Sequence, residues 1–294
     1  MCLKRELLTR AGRLGIEYAG VCDALPDSGL FELLEKSRRR FGATPYTEGD
    51  ISRRVDPRVL LGNAKSVFVC LFPYYKKENI PENLALYAAV TDYHAVVKEK
   101  LRALTDGLCG RFVAACDTAP LSDRYLAYKA GLGFFGKNHM LINEKYGSFF
   151  MIGSVVTDVF MPPDKPLNSS CAGCGLCQSS CPGGALLSDG GFDFNRCVSY
   201  ISQAKSITGK QRKIYAESPM LVGCDVCQRV CPHNRDLPDT PLTEFHENFI
   251  SRLDGAEIAG LSNKEFMRKY GKFAFSWLGK RRICEKMSEK NINF

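Results

Sequence analysis

Cys171-Ala-Gly-Cys174-Gly-Leu-Cys177-Gln-Ser-Ser-Cys181-Pro182 and, further along, Cys224-Asp-Val-Cys227-Gln-Arg-Val-Cys231-Pro232 are the stretch whose spacing decides the architecture. The first run has the C-x2-C-x2-C-x3-C-P spacing in which three thiolates close on one 4Fe-4S cubane and the fourth, turned away by the proline, reaches a second. The second run lacks one cysteine, and Cys197, lying between the two, supplies it. The spacing therefore assigns Cys171, Cys174, Cys177 and Cys231 to one 4Fe-4S cluster and Cys181, Cys197, Cys224 and Cys227 to the other. A structural zinc site needs only two C-x2-C pairs and explains neither the third cysteine nor the prolines. Disulfides fit less well still. The sequence shows no charged-then-apolar leader and no apolar run of membrane-spanning length, so a reducing, cytoplasmic setting is expected.

Outward from this stretch, 294 residues with 45% hydrophobic content can bury a sizeable core and suggest about two domains. The formal charge of +8 is uneven. Basic residues gather after the first cysteine run (Lys205, Lys210, Arg212, Lys213) and in the tail (Lys280, Arg281, Arg282, Lys286, Lys290). A basic face beside a redox centre suits a polyanionic substrate, although an isolated charge run is as readily a solvated surface.

Before the cysteines the chain mixes helix and strand. Residues 3–14 carry apolar positions at helical spacing up to Gly15, and Ile16 to Cys22 reads as a strand. Asp27 and Ser28 cap a helix that stops near Gly42, and Pro45 to Asn63 is irregular and charged, a loop. Ser66 to Phe72 is a continuous apolar run, the mark of a buried strand. Asn83 to Leu104 is expected as one long helix carrying Tyr93 and His94. Arg111 to Cys116 is a further strand, and Asp117 follows as it ends, where open α/β sheets bind ligands. Ser122 caps the helix Asp123 to Ala130. Gly131-Leu-Gly133-Phe-Phe-Gly136-Lys137-Asn138 is a glycine-rich loop that lets backbone approach a ligand, but it lacks the strand-to-helix setting of a dinucleotide fingerprint. His139 to Asn143 and Ser148 to Thr157 read as a hairpin. A proline-rich linker, Met161 to Pro166, leads to the cysteines. Beyond Asn234, Asp254 to Leu261 and Asn263 to Lys290 read as helices with an apolar face of Phe266, Tyr270, Phe273, Phe275 and Trp277.

Taken together, Asp117-Thr-Ala-Pro120, Lys129-Ala-Gly-Leu-Gly-Phe-Phe-Gly-Lys-Asn138, Tyr146-Gly-Ser-Phe-Phe150, Arg196-Cys-Val-Ser-Tyr200 and Gly223-Cys-Asp-Val-Cys-Gln228 resemble the epoxyqueuosine reductases from about Arg53 to about Arg282. That resemblance implies an α+β architecture: a cobalamin-binding domain similar to the nitroreductase fold (1–160), a ferredoxin-like domain with two 4Fe-4S clusters (161–240) and a basic helical segment (241–294). It implies reduction of epoxyqueuosine to queuosine at the wobble position of tRNA. Electrons would come from an external flavodoxin- or ferredoxin-type donor and pass through the clusters to cobalamin, in a monomer that makes no use of a membrane. It makes Asp117 the proton donor, since an epoxide oxygen leaving as an alkoxide would be too basic. A carboxyl buried against the cofactor among apolar groups would stay protonated near neutrality. Arg54, His94, Asp117, Lys137, Asn138, Ser199 and Tyr200 are its candidates to contact cobalamin or substrate. A bland reading stands beside each: a packed or solvated histidine, a surface lysine, a helix cap.

The sequence departs from the longer relatives at Thr91, where an arginine is expected, and at Ser202-Gln-Ala-Lys205. It also ends at Phe294, where those relatives continue into a helical-repeat domain that helps hold tRNA. Two other readings remain at this stage. One is a reductive-dehalogenase-like enzyme, against which the aspartate at 117 argues. The other is a bare electron carrier, which would not need about 160 residues ahead of its clusters.

Overall fold

The computed structural model describes residues 2–290; Met1 and residues 291–294, at the ends of the first and last expected segments, lie outside them. The chain forms two compact units, one from the residues up to Pro73 with His94–Gly173, the other from Tyr74–Tyr93 with the chain from Cys174 onward.

In the first unit α1 (Leu3–Arg13) leads to β1 (Ala19–Asp23), α2 (Ser28–Phe41), the one-turn helix α3 (Ile51–Arg54) and β2 (Ser66–Pro73). The chain visits the second unit through α4 (Leu86–Ala89) and returns along α5 (Tyr93–Thr105) to β3 (Phe112–Ala115), α6 (Asp123–Lys129), β4 (Phe134–Phe135), β5 (Leu141–Ile142) and β6 (Phe150–Thr157). Four strands pair in the order β1-β2-β6-β3, with Phe68 opposite Val155 and Val113 opposite Val156. Every residue of β2 is buried because both faces of the sheet are covered. Val67, Val69 and Leu71 share a core with Leu126 and Ala127 of α6 and with Ala130 just past its end. On the other face α5 comes so close that a Cβ on Gly153 would lie 2.5 Å from Val97 Cγ1 and 3.1 Å from Leu101 Cδ1. Fully burying such side chains stabilises the unit by roughly 1.5–3 kcal/mol each.

Several expectations change. All pairings in the four-stranded sheet are antiparallel, so Asp117 is not at the carboxyl edge of a parallel sheet. Pro45 to Asn63 contains α3 and a 3-10 turn, Pro57–Val59, started by Asp50 and Asp56 accepting the backbone N–H groups of Ser52 and Arg58. The hairpin is paired otherwise: β5 pairs with β4, while β6 lies between β2 and β3. The long helix over 83–104 is broken between Ala89 and Tyr93. There Val90 and Thr91 bridge Phe249 and Phe273, and the Asp92 N–H goes to the Lys272 carbonyl.

The glycines of 131–136 serve the fold. Gly131 closes α6 at φ +73, and a Cβ on Gly133 would sit 2.5 Å from the Ile142 carbonyl oxygen. Because that obstacle is backbone, Gly133→Ala is expected to cost about 1–3 kcal/mol in urea unfolding; an unchanged midpoint would show that β4 and β5 can part at no cost.

The second unit is built from short helices: α7 (Leu176–Ser179), α8 (Val198–Gln203), α9 (Gly209–Glu217), α10 (Val226–Arg229), α11 (Gly255–Gly260), α12 (Asn263–Tyr270) and α13 (Gly279–Glu289). The expected helix over 263–290 is thus interrupted after Tyr270 by a 3-10 turn at Ala274–Leu278. Leu84, Ala88, Tyr215, Phe266, Phe273, Phe275, Ile283 and Met287 share one core. Trp277, expected on that face, is 59% exposed. The basic tail is also less of a surface than its charge suggests. Lys286 is buried over the Tyr215 ring with its ammonium on Glu289 at 2.8 Å, and Lys290 donates to the carbonyls of Tyr215 and Ser218. Burial lowers the Lys290 ammonium to about 8.

Candidate functional site

The first unit brings two of its candidates, Asp117 and His94, together where β3 ends. Cys116 is buried, and Asp117 follows at φ +53, with the Thr118 N–H donating to the Cys116 carbonyl at 2.5 Å. This is a three-residue turn in its rarer positive-φ form, strained for any side chain but glycine or, less so, asparagine and aspartate. The Asp117 side chain is 62% exposed, and Nε2 of His94 on α5 lies 3.4 Å from its Oδ2. The sequence reading placed this carboxyl among apolar groups; the turn instead lifts it into the open beside an imidazole.

Asp123 is the group that sequence reasoning missed. It opens α6, where an acid looks like an ordinary complement to the helix dipole. Yet its Oδ2 accepts the Asp117 N–H at 3.0 Å, while its Oδ1 is shut off from solvent with no hydrogen-bond partner among the described residues. Burial first, with the Asp117 charge adding to it, pushes the Asp123 carboxyl up to about 7. The folded state therefore holds this proton more tightly than the unfolded chain. The stability it contributes is complete below about pH 4 and is lost as pH rises through about 7. In urea melts at pH 5.5 and pH 8 the wild type is expected to be less stable at the higher pH, and Asp123→Asn to shrink that difference; an equal difference in the variant would contradict the burial argument.

Around this pair, Arg54 of α3 is half-buried, and its guanidinium has no hydrogen-bond partner among the described residues. Burial, then the neighbouring Arg124, lowers its pKa. Its backbone carbonyl takes the N–H of Ser122, which joins α3 to the start of α6. Arg124 donates to the His139 carbonyl at 2.5 Å. Asn138 is buried, with its amide oxygen taking the Met140 N–H, and Lys137 is exposed with its ammonium on the Gly173 carbonyl at 3.1 Å.

Ser199 and Tyr200 lie in the second unit on α8. The Ser199 carbonyl accepts from Ser202 and Gln203, and the Tyr200 ring meets Phe194 edge-on at 4.9 Å. Both departures noted in the sequence are occupied internally there. The Thr91 hydroxyl donates to the Glu244 carbonyl at 2.6 Å, and buried Ser202 accepts the Gly223 N–H at 3.0 Å, pinning α8 to the second cysteine run. Asp225 within that run is buried against Arg229 at 2.7 Å and takes the Leu86 N–H.

The thiols of this unit fall into two electrostatic neighbourhoods. Cys177 feels Cys231 and Cys174, whereas Cys224 and Cys227 feel Cys197 and Cys181. Burial first, and the neighbouring thiols among the further causes, push the Cys224 thiol up to about 12 and raise that of Cys227 as well. Among the described residues no three His, Cys, Asp or Glu side chains close around a single metal ion. A cubane takes its thiolates at separate corners, and thiols such as Cys197, Cys224 and Cys227, which burial makes costly to ionise alone, fit a cationic iron core.

Comparison with known proteins places both cysteine runs within one matched segment. Residues 170–234 match the family model "4Fe-4S double cluster binding domain", and residues 54–123 match "Epoxyqueuosine reductase QueG, DUF1730". The epoxyqueuosine reductase of Bacillus cereus is 31% identical over 95% of this chain and 77% of its own. A crystal structure of epoxyqueuosine reductase with an epoxyqueuosine-modified tRNA-Tyr stem loop superposes with a TM-score of 0.89 at 31% identity, covering 98% of this chain and 80% of that one. The Bacillus subtilis enzyme, with its catalytic aspartate loop swung out of the active site, gives 0.88 at 30% identity over 98% of this chain and 80% of that one. A catabolic reductive dehalogenase shares the fold alone, at a TM-score of 0.50 and 17% identity over 98% of this chain and 37% of its own.

Proposed function

The chain belongs to the epoxyqueuosine reductase family, and on that premise we propose how its own residues carry the reaction. It is an oxidoreductase that reduces epoxyqueuosine to queuosine in tRNA. The observation that carries the reading is Asp117, an acid raised on a strained turn at the end of β3 with His94 at 3.4 Å. In the balanced reaction both C–O bonds of the epoxide break, a C=C bond forms, and two electrons and two protons turn the oxygen into water.

Asp117 donates the first proton to the departing oxygen, so that no free alkoxide forms. His94, facing the same carboxyl, orients it and passes it the next proton. Exposure suits this role, because a carboxyl open to an incoming nucleotide becomes desolvated, and its pKa rises, only when the substrate covers it. The loop of a relative that swings out of its active site supports reading this turn as mobile in function.

When bound, cobalamin and the two 4Fe-4S clusters supply the electrons, drawn from a flavodoxin- or ferredoxin-type donor. Cys171, Cys174, Cys177 and Cys231 hold one cluster, and Cys181, Cys197, Cys224 and Cys227 the other. The half-buried Arg54 fork, without a hydrogen-bond partner among the described residues, fits the amides or phosphate of cobalamin, with Lys137 and Asn138 on the loop beyond α6 as further contacts. Ser199 and Tyr200 complete the candidate set from α8. Residues 1–160 form the catalytic part, similar to the nitroreductase fold; 161–240 the cluster part; and 241–294 a segment bearing basic residues, helical over α11 to α13. No helix among the described residues is long and apolar enough to cross a membrane, and the reading is of a cytoplasmic monomer.

Anaerobic turnover of epoxyqueuosine-containing tRNA by cluster-loaded protein, with and without added cobalamin, tests this by nucleoside mass spectrometry. Queuosine is expected only with cobalamin. Its formation without cobalamin would remove that cofactor from the reading.

A further inference from the structure

We propose that Asp123 is the positioning residue of the acid loop, its carboxyl latching the backbone of Asp117 and so holding the proton donor in the turn at the end of β3. The inference rests on the reading of Asp117 as that donor. A non-glycine residue at φ +53 persists only where its surroundings overdetermine it. Here the turn's own bond, Thr118 to Cys116, spans three residues, and Asp123 Oδ2 on the Asp117 N–H at 3.0 Å anchors its backbone from outside the turn. Asp123 is itself fixed at the first position of α6, where the Ser122 N–H is tied to the Arg54 carbonyl.

The second oxygen makes the latch sensitive to pH. Protonated on Oδ1, the carboxyl is neutral and its other oxygen still accepts the Asp117 N–H. Ionised, it leaves charge on an oxygen closed to solvent and without a donor among the described residues, beside the carboxyl of Asp117. Turning the carboxyl towards water relieves that cost and drops the N–H. The groups facing Asp123 are Asp117 from the loop and Arg124 from its own helix; His94 of α5 reaches Asp117, and Arg54 of α3 neighbours Arg124. The Asp117 N–H on the other oxygen, and after it the Arg124 charge, favour ionisation in place, while the Asp117 charge opposes it. Burial outweighs the two that favour ionisation, placing the switch at about pH 7.

The test is fragment-resolved hydrogen exchange over residues 116–121 of the full-length, cluster-loaded protein, corrected for the intrinsic pH dependence of exchange. Asp123→Ala is expected to speed exchange there by about tenfold, leaving β2 and β6 unchanged. In the wild type the corrected rate is expected to step upward as pH passes about 7. Asp123→Asn, which keeps an acceptor oxygen and cannot titrate, is expected to abolish the step and to flatten the pH profile of kcat without moving KM for tRNA. Asp123→Glu is expected to restore a step at a shifted pH. Wild-type exchange in the Ala variant, or the same step in the Asn variant, overturns the latch; the Asn comparison stands even if the Ala variant fails to fold. If Asp117→Asn keeps full activity while the exchange results hold, the donor assignment fails and the latch survives. Loss of activity in Asp117→Asn with no exchange effect at Asp123 keeps the donor and removes the latch.

Discussion

Asp117→Asn is expected to lower queuosine formation by about 10²–10⁴-fold, with cluster content and tRNA affinity unchanged. The substitution is chosen for the backbone as well as the acid. Asparagine tolerates the left-handed region at least as well as aspartate, so the φ +53 turn and its bond to Asp123 survive while the transferable proton is lost. Asp117→Ala would confound the two, because alanine in that turn adds strain of roughly 1–3 kcal/mol. The measurement is single-turnover deoxygenation with an excess of reductant, so that electron delivery does not mask the proton step. A fall below twofold in the Asn variant would show that water or His94 protonates the leaving oxygen unaided.

The second large effect tests the crossover of the cysteines. Cys231→Ala is expected to remove the same cluster as Cys174→Ala, although the two are far apart in sequence, while Cys197→Ala removes the other. Each loss is expected to take iron content from about eight to about four per chain. The double variant Cys174→Ala with Cys231→Ala should fall no further than either single, whereas Cys174→Ala with Cys197→Ala should lose nearly all iron. The electrostatic neighbourhoods support the pairing: Cys231 acts on Cys177, and Cys197 acts on Cys224 and Cys227. Additive loss in the first double would mean that the two runs each close on their own cluster. Either cluster's loss is expected to abolish turnover with the natural donor.

What could be read from the chain alone follows from the range of the forces involved. The ends of α2 were legible because they are local: Asp27 caps the Leu30 N–H, and Gly42 leaves the helix at φ +86. The extent of β2 was legible because burial on both faces writes a continuous apolar run. The cysteine spacing was legible because ligand geometry constrains it over a few residues. Long-range pairing was not. Nothing in 139–157 announces that β6 would lie between β2 and β3, and nothing in 83–104 reveals that Val90 and Thr91 would bridge segments more than 150 residues away. Asp123 escaped notice for a related reason: its meaning lies in one buried oxygen and one N–H from outside its helix, and neither leaves a periodic trace. Lys286 and Lys290 misled in the opposite sense, since composition counts a charge wherever the side chain places it.

The excursion of Tyr74–Tyr93 out of the first unit and into the second sets a timetable for synthesis. The first unit has all its residues once Gly173 has left the ribosome. The second must wait for the chain beyond Cys174, although the segment that carries α4 emerged long before. Leu84, Ala85, Ala88 and Ala89, apolar and fully buried in the finished unit, therefore stay bare for the time it takes to make about 200 further residues, some 10–40 s at bacterial elongation speeds. Over that interval they are a binding stretch for a chaperone, and a nascent chain stalled before α13 offers the same stretch to its neighbours on a polysome.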